Sequence, residues 1–161
     1  MGDGQNQTYL AAAGSDGYAW EFVRRSPEYR AAWADWKKSG GGPSASILLE
    51  WCAIDPSLRV DEFWAVEIQI RNAPPQVLRI FAAANGDRND LTVRQRCRLN
   101  QMLRVIDARL SGRTYKEIAE AEFGLYTDET KSRVCRLWIR GQKFIHGGWR
   151  EILIKRGKLR V

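Results

Sequence analysis

Residues 112 to 129, GRTYKEIAEAEFGLYTDE, contain two helix starts and one helix stop in quick succession. Thr114 followed by Glu117 has the spacing of a capping box, in which the threonine hydroxyl and the glutamate carboxylate each satisfy an orphan backbone N–H. Gly124 supplies a left-handed residue that ends the helix. Thr127 is a second cap, and Asp128 and Glu129 place negative charge in the next first turn, where the helix dipole favours it. The spacing therefore predicts a short helix from Thr114 to about Phe123 and a longer one from about 128 to 145. The short helix cannot be stable alone and must pack on neighbours. Ile118, Ala119 and Phe123 turn inward, and Ala119 is small enough to let the second helix approach closely.

Advancing about 100° per residue, Val134, Leu137, Trp138, Gly141 and Ile145 share an apolar sector of the longer helix, and Arg133, Arg136, Arg140 and Lys143 share a basic one roughly opposite. The bland account of this stripe is a solvated helix face. The sharper one is a helix-turn-helix, in which the shorter helix crosses the phosphate backbone and supports the longer one in the major groove of double-stranded DNA. On that account Lys131, Arg133, Arg136, Arg140 and Lys143 are the DNA-binding candidates. Arg133 and Arg136, near the helix start, are placed for base edges, and Arg140 and Lys143 for phosphates. Thr114, Glu117, Ile118, Ala119, Val134 and Trp138 are the structural support, with Trp138 expected to lie under Ile118 and the preceding helix. Two features depart from the common pattern: Gly124 lies five residues after Ala119, and GLYTD reads as a longer turn than usual. Glu129 shares the angular position of Arg136, so the stripe is not purely basic. It can accept from cytosine or serve the dipole.

Charge favours the sharper account. The net charge of +7 is uneven: residues 1 to 80 hold 8 Lys and Arg against 10 Asp and Glu, a net of −2, whereas residues 81 to 161 hold 18 against 9, a net of +9. Cations concentrated in one half suggest a polyanionic partner, because neutralising phosphates releases counterions. A chain of 161 residues with 44% hydrophobic content can build a packed core. No apolar run reaches about 18 residues, and the start lacks a basic and apolar leader pattern, so neither a membrane span nor a signal peptide is expected, and the expected location is cytoplasmic. Cys52, Cys97 and Cys135 are odd in number and widely spaced, which fits reduced packing residues. With one histidine, His146, read as a helix-end residue, and no nucleophile or carboxylate cluster in a catalytic setting, no metal, cofactor or enzymatic role is expected.

Upstream, residues 1 to 14 are small and polar and read as a disordered tail. YAWEFVRR and PEYRAAWADWKK read as two short helices divided at Ser26-Pro27, with Ser26 as cap and Pro27 in the first turn. Trp20, Tyr29, Trp33 and Trp36 are expected to form a small aromatic core in preference to a stacking platform. Residues 15 to 38 make this helical N-terminal region, and residues 39 to 46 a linker that opens with SGGGPS. Residues 47 to 90 make a mixed region with a β-hairpin over 66–70 and 76–82, where VEIQI alternates strictly. Residues 91 to 161 make the DNA-binding domain. It opens with a helix from about Thr92 to Ser111, in which Leu99, Leu103, Ile106 and Leu110 recur at helical spacing and Arg94, Arg96, Arg98, Arg104 and Arg109 leave the other faces basic. After the reading helix, HGGWREIL fits a glycine stop and a short element that packs back through Trp149, Ile152 and Leu153. The expected fold is mainly α with a small β-hairpin: a helix-turn-helix DNA-binding domain with a short helical N-terminal region. Residues 1 to 38 carry the aromatic stripe and almost none of the positive excess, and are expected to be dispensable for DNA affinity but needed for regulatory output.

DARLSGRTYKEIAEAEFG and SRVCRLWIRGQKFIHGGWREIL together resemble the DNA-binding domain of RovC-like bacterial transcription factors. YAWEFVRRSPEYRAAW resembles the small N-terminal domain that precedes it in some members, including FseA-type activators of excision and transfer of integrative and conjugative elements. The resemblance implies a transcription activator whose C-terminal domain contacts promoter DNA and sometimes a regulatory protein of the same family. It also implies a rival role, because stand-alone relatives of this domain act as antiactivators by binding the activator protein. A non-catalytic DNA recombination accessory factor is a further alternative, and a homo-oligomer on repeated half-sites is compatible with any DNA-binding reading.

Overall fold

The computed structural model describes residues 14–41, 54–59 and 91–154. These residues are mainly helical, in the order α1 (Ser15–Val23), α2 (Pro27–Lys38), α3 (Val93–Leu110), α4 (Tyr115–Phe123), α5 (Asp128–Lys143), a π-helical turn (Phe144–Gly148) and α6 (Trp149–Ile154). No strand occurs among them. The hairpin expected over 66–70 and 76–82 lies outside the described residues, as do residues 1–13 of the expected tail and most of the expected linker.

Helices α2 to α5 each begin at a side-chain cap. The Ser26 hydroxyl accepts from Tyr29 N, with Pro27 in the first turn where its missing N–H costs nothing. Thr92 and Gln95 form a reciprocal capping box at the start of α3, which ends at Leu110, where the expected stop at Ser111-Gly112 lies.

Helix α1 has no amphipathic face: Tyr18, Ala19, Trp20, Phe22 and Val23 are all buried, the condition of a helix enclosed on every side. It lies against α6, the π-helical turn and α3. Phe22 meets Phe144 with ring centroids 5.1 Å apart, and the Tyr18 hydroxyl donates to Asn100 Oδ1 at 2.8 Å. Trp20 and Tyr29 meet edge to face at 5.5 Å. Both find carbonyls in the 54–59 segment, Trp20 Nε1 donating to Leu58 O at 2.9 Å and the Tyr29 hydroxyl to Ile54 O at 2.7 Å. Buried aromatic rings with satisfied polar ends make a core. The other two expected members, Trp33 and Trp36, are half-buried at its margin.

An ion cluster centred on the buried Arg25 and Glu21 joins this region to α3 through the exposed Asp107. Arg25 donates from Nε and Nη2 to the two Asp107 oxygens, each at 2.7 Å, and from Nη1 to Glu21 Oε2 at 2.6 Å. Burial opposes the Arg25 charge, but the hydrogen bonds and charges of Asp107 and Glu21 outweigh it and hold the guanidinium above its ordinary range. The N-terminal helices therefore share one core with the C-terminal ones. That packing removes the basis for expecting residues 1 to 38 to be dispensable, since net charge says nothing of which apolar faces meet.

Helix α5 runs close against α3 because residue 141 is glycine: a Cβ there would stand 2.6 Å from Ile106 Cδ1. Beyond Lys143 the chain does not stop as a simple glycine terminus. The π-helical turn breaks at His146 (ψ 36°) and Gly147 (φ 108°), a left-handed conformation that glycine accepts without strain. The redirected chain forms α6, which buries Trp149 and Ile152.

Candidate nucleic-acid interface

Helix α4 is fixed at both ends by the expected residues. Thr114 Oγ1 accepts from Glu117 N at 3.2 Å, and Glu117 Oε2 accepts from Thr114 N at 2.7 Å. The backbone N–H of Thr114, followed by its hydroxyl, holds the Glu117 carboxyl below its ordinary range. Gly124 closes the helix with φ 76°. The connection to α5 is Gly124 to Thr127, shorter than GLYTD suggested, because Asp128 is already the first residue of α5. Thr130, which was not singled out from sequence, locks this turn: its hydroxyl accepts from Thr127 N at 2.8 Å and contacts Leu125 O at 3.1 Å, while its own N–H donates to Thr127 Oγ1 at 3.1 Å. The legible signal was the T-x-x-T spacing, a capping box with threonine in place of glutamate.

Of the support residues, Ile118, Ala119 and Val134 are buried as expected. Trp138 is only half-buried, because by helical rotation it lies about 70° from the centre of the sector formed by Val134, Leu137 and Gly141. Its ring is met by Arg109, whose guanidinium carbon stands over the Tyr115 ring at 4.4 Å from the centroid and over that of Trp138 at 5.7 Å. Arg109 thus joins α3, α4 and α5 through cation–π contact. Two further α3 arginines serve packing: Arg104 forms a two-pronged ion pair with Glu122 at 2.8 Å on each prong, and Arg96 donates to Leu91 O at 2.9 Å. Arg94 and Arg98 are exposed.

The basic candidates divide into two flanks of α5. Arg133, Arg136, Arg140 and Lys143 fall on one side, and Lys131 falls on the other, about 140° round from Arg136. Lys131 and Arg136 nevertheless border one open groove, together with Asp128, Ser132 and Cys135. Arg133 is exposed, with its guanidinium 4.4 Å from the Phe123 ring centroid, so an α4 residue restrains it. Arg140 is half-buried. Lys143 is exposed and its Nζ meets Glu151 Oε1 at 2.9 Å. Residues 130 to 150 contain six Lys and Arg and no Asp or Glu, so after its first turn the helix carries no carboxylate that would repel a phosphate. Between the flanks lie Ser132, Cys135 and Ile139, which an inspection of charge alone passed over.

Cys97 is exposed and Cys135 half-buried, both as free thiols, so the expected packing role fails for Cys97: it faces away from the apolar sector of α3 that Leu99, Leu103 and Ile106 occupy. Cys52 lies outside the described residues. Among the described residues no group of three His, Cys, Asp or Glu side chains is placed to hold a metal ion, and no helix is long and apolar enough to cross a membrane.

Likeness to known families gives the class of the chain that carries this capped cationic helix: a DNA-binding transcription regulator. Residues 60–154, more than half of the chain, match the family described as T6SS, transcription factor, DNA binding domain, and the chain belongs to this RovC DNA-binding domain family. Residues 3–50 match a second family, the proteobacterial transcriptional regulator-like domain. No curated protein and no solved structure gives a significant match.

Proposed function

We propose that α4 and α5 act as a helix-turn-helix that places α5 in the major groove of double-stranded DNA. The observation that carries this reading is the exposed face of α5, cationic on both flanks and without a carboxylate from residue 130 to residue 150. Arg136, exposed and two turns into the helix, is suited to a bidentate contact with guanine. Arg133, steadied on Phe123, reaches a base edge or the adjoining sugar-phosphate. Lys131 on one flank and Arg140 and Lys143 on the other face the two phosphate strands. Lys143 exchanges Glu151 for a phosphate, a small cost because exposed ion pairs contribute little. The regulatory output we propose is activation of excision or transfer genes of a mobile element, which the likeness of residues 18–33 to FseA-type activators supports.

The test is selection of bound DNA from a random duplex pool by the full chain, followed by titration of variants against the selected site at several salt concentrations. Arg136→Ala should cost about 1–3 kcal/mol and relax the preference at one base pair. If replacement of Arg133, Arg136, Arg140 and Lys143 together leaves affinity, preference and salt dependence intact in a folded protein, α5 is not the reader. A reporter driven by the selected site then tests activation, and unchanged or lowered expression overturns that role.

A further inference from the structure

We infer that Ile139 reads a thymine methyl group, so that α5 recognises its site by an apolar contact as well as by charge; the inference rests on the major-groove docking proposed above. Ile139 is 67% exposed at the middle of the outward face of α5. Single exposed apolar side chains are ordinary, and what distinguishes this one is its setting. By helical rotation Ile139 lies about 80° from Lys131 on one side and about 100° from Arg140 on the other, with Arg136 about 60° away. Its neighbours one turn along the helix are Cys135, Arg136, Gln142 and Lys143. An apolar centre between cationic flanks is a poor match for another protein's purely apolar surface, because the flanking charges would lose their hydration without gaining a partner. It matches the major groove, whose walls are phosphates and whose floor carries one apolar group, the C5-methyl of thymine.

Spacing makes the inference specific. Ile139 stands three residues beyond Arg136, about 4.5 Å along the helix axis, and base pairs are stacked about 3.4 Å apart. The thymine should therefore lie within one or two base pairs of the pair that Arg136 reads.

The experiment uses the full chain and the duplex it selects, with each thymine replaced singly by deoxyuridine, which removes the methyl group and nothing else. The wild-type protein should lose about fourfold in affinity at one such position, the size expected for leaving one buried methyl group without its contact. Ile139→Ala should bind the thymine and uracil duplexes equally and keep the salt dependence of the wild type, and Ile139→Val should retain part of the difference. Because the side chain is exposed, these variants should keep the wild-type circular dichroism and unfolding midpoint. The inference is overturned if no thymine shows a uracil effect in the wild type, or if Ile139→Ala keeps the wild-type ratio. An unchanged ratio with loss of self-association in sedimentation assigns Ile139 to a second copy of the chain instead. Selective binding with no uracil effect removes the role of Ile139 alone, whereas failure to select any sequence removes the docking reading and this inference with it.

Discussion

Gly141 sits inside α5, where glycine costs about 1 kcal/mol of helix propensity relative to alanine. It is compensated by proximity, since the Ile106 side chain occupies the space a Cβ would need and is itself fully buried. Gly141→Ala should therefore destabilise the protein by about 1–2 kcal/mol despite the better propensity, measured as a lower urea midpoint, and Ile106→Val in the same chain should recover part of the loss. A midpoint that rises with Gly141→Ala alone would mean that α3 and α5 separate at little cost. A second single-residue effect is a pH dependence at Glu28. The Ser26 hydroxyl, then the backbone N–H of Glu28 itself, hold its carboxyl down at about 2, with a smaller contribution from His146 Nδ1 at 2.8 Å. The pKa is lowered on folding, so the stabilisation is present above about 4.5, the ordinary value, and is lost as pH falls through about 2. Glu28→Gln should accordingly be less stable than wild type at pH 6, and the gap should close toward pH 2; a gap that is constant or widens on acidification contradicts the assignment.

At the scale of elements, the two caps that frame the α4–α5 pair are local and separable. Thr114→Ala removes the acceptor for Glu117 N and should cost about 1 kcal/mol, within the range measured for such caps, without altering which base pairs are preferred. A change in base preference would show that the start of α4 also positions α5. Trp138 belongs to this scale because it spans the seam between helices. A fully buried tryptophan truncated to alanine costs about 3–5 kcal/mol. Trp138 is half-buried and partly covered by Arg109, so Trp138→Ala should cost about 2 kcal/mol by thermal or urea unfolding. A loss of the full size would place it in the core after all.

For the whole molecule, the main consequence is that the N-terminal helices are part of the fold that presents α5. Arg25→Ala removes one ion pair of Glu21, whose side chain is fully buried, and leaves its pair to Arg24, so the loss should fall below the about 3–5 kcal/mol typical of stranding a buried charge, measured as a lower urea midpoint. A chain beginning at Ser44 removes α1 altogether and uncovers Phe144, the side of α6 that packs on α1, and the part of α3 around Asn100. Such a chain should lose cooperative unfolding and, with it, DNA affinity. If it folds and binds the selected site with undiminished affinity, the shared core is not needed to hold α5 in place.

Local rules were enough for the residues that start and stop helices. Thr92, Thr114, Thr127 and Gly124 act on backbone groups within one turn of themselves, so their spacing in the chain is also their spacing in space. The apolar sector of α5 was legible for the same reason, being a consequence of helical rotation, and with it the cationic stripe. What the chain order does not contain is which faces meet across long separations. Arg25 and Asp107 are far apart in sequence and form an ion pair whose guanidinium is buried, α1 is enclosed by helices that follow it by 70 residues or more, and Arg109 is captured by Tyr115 and Trp138 when charge alone would leave it in solvent. The same limit applies to the α5 face: Ile139 became a candidate reader only when folding buried Val134 and Leu137 and left Ile139 in the open.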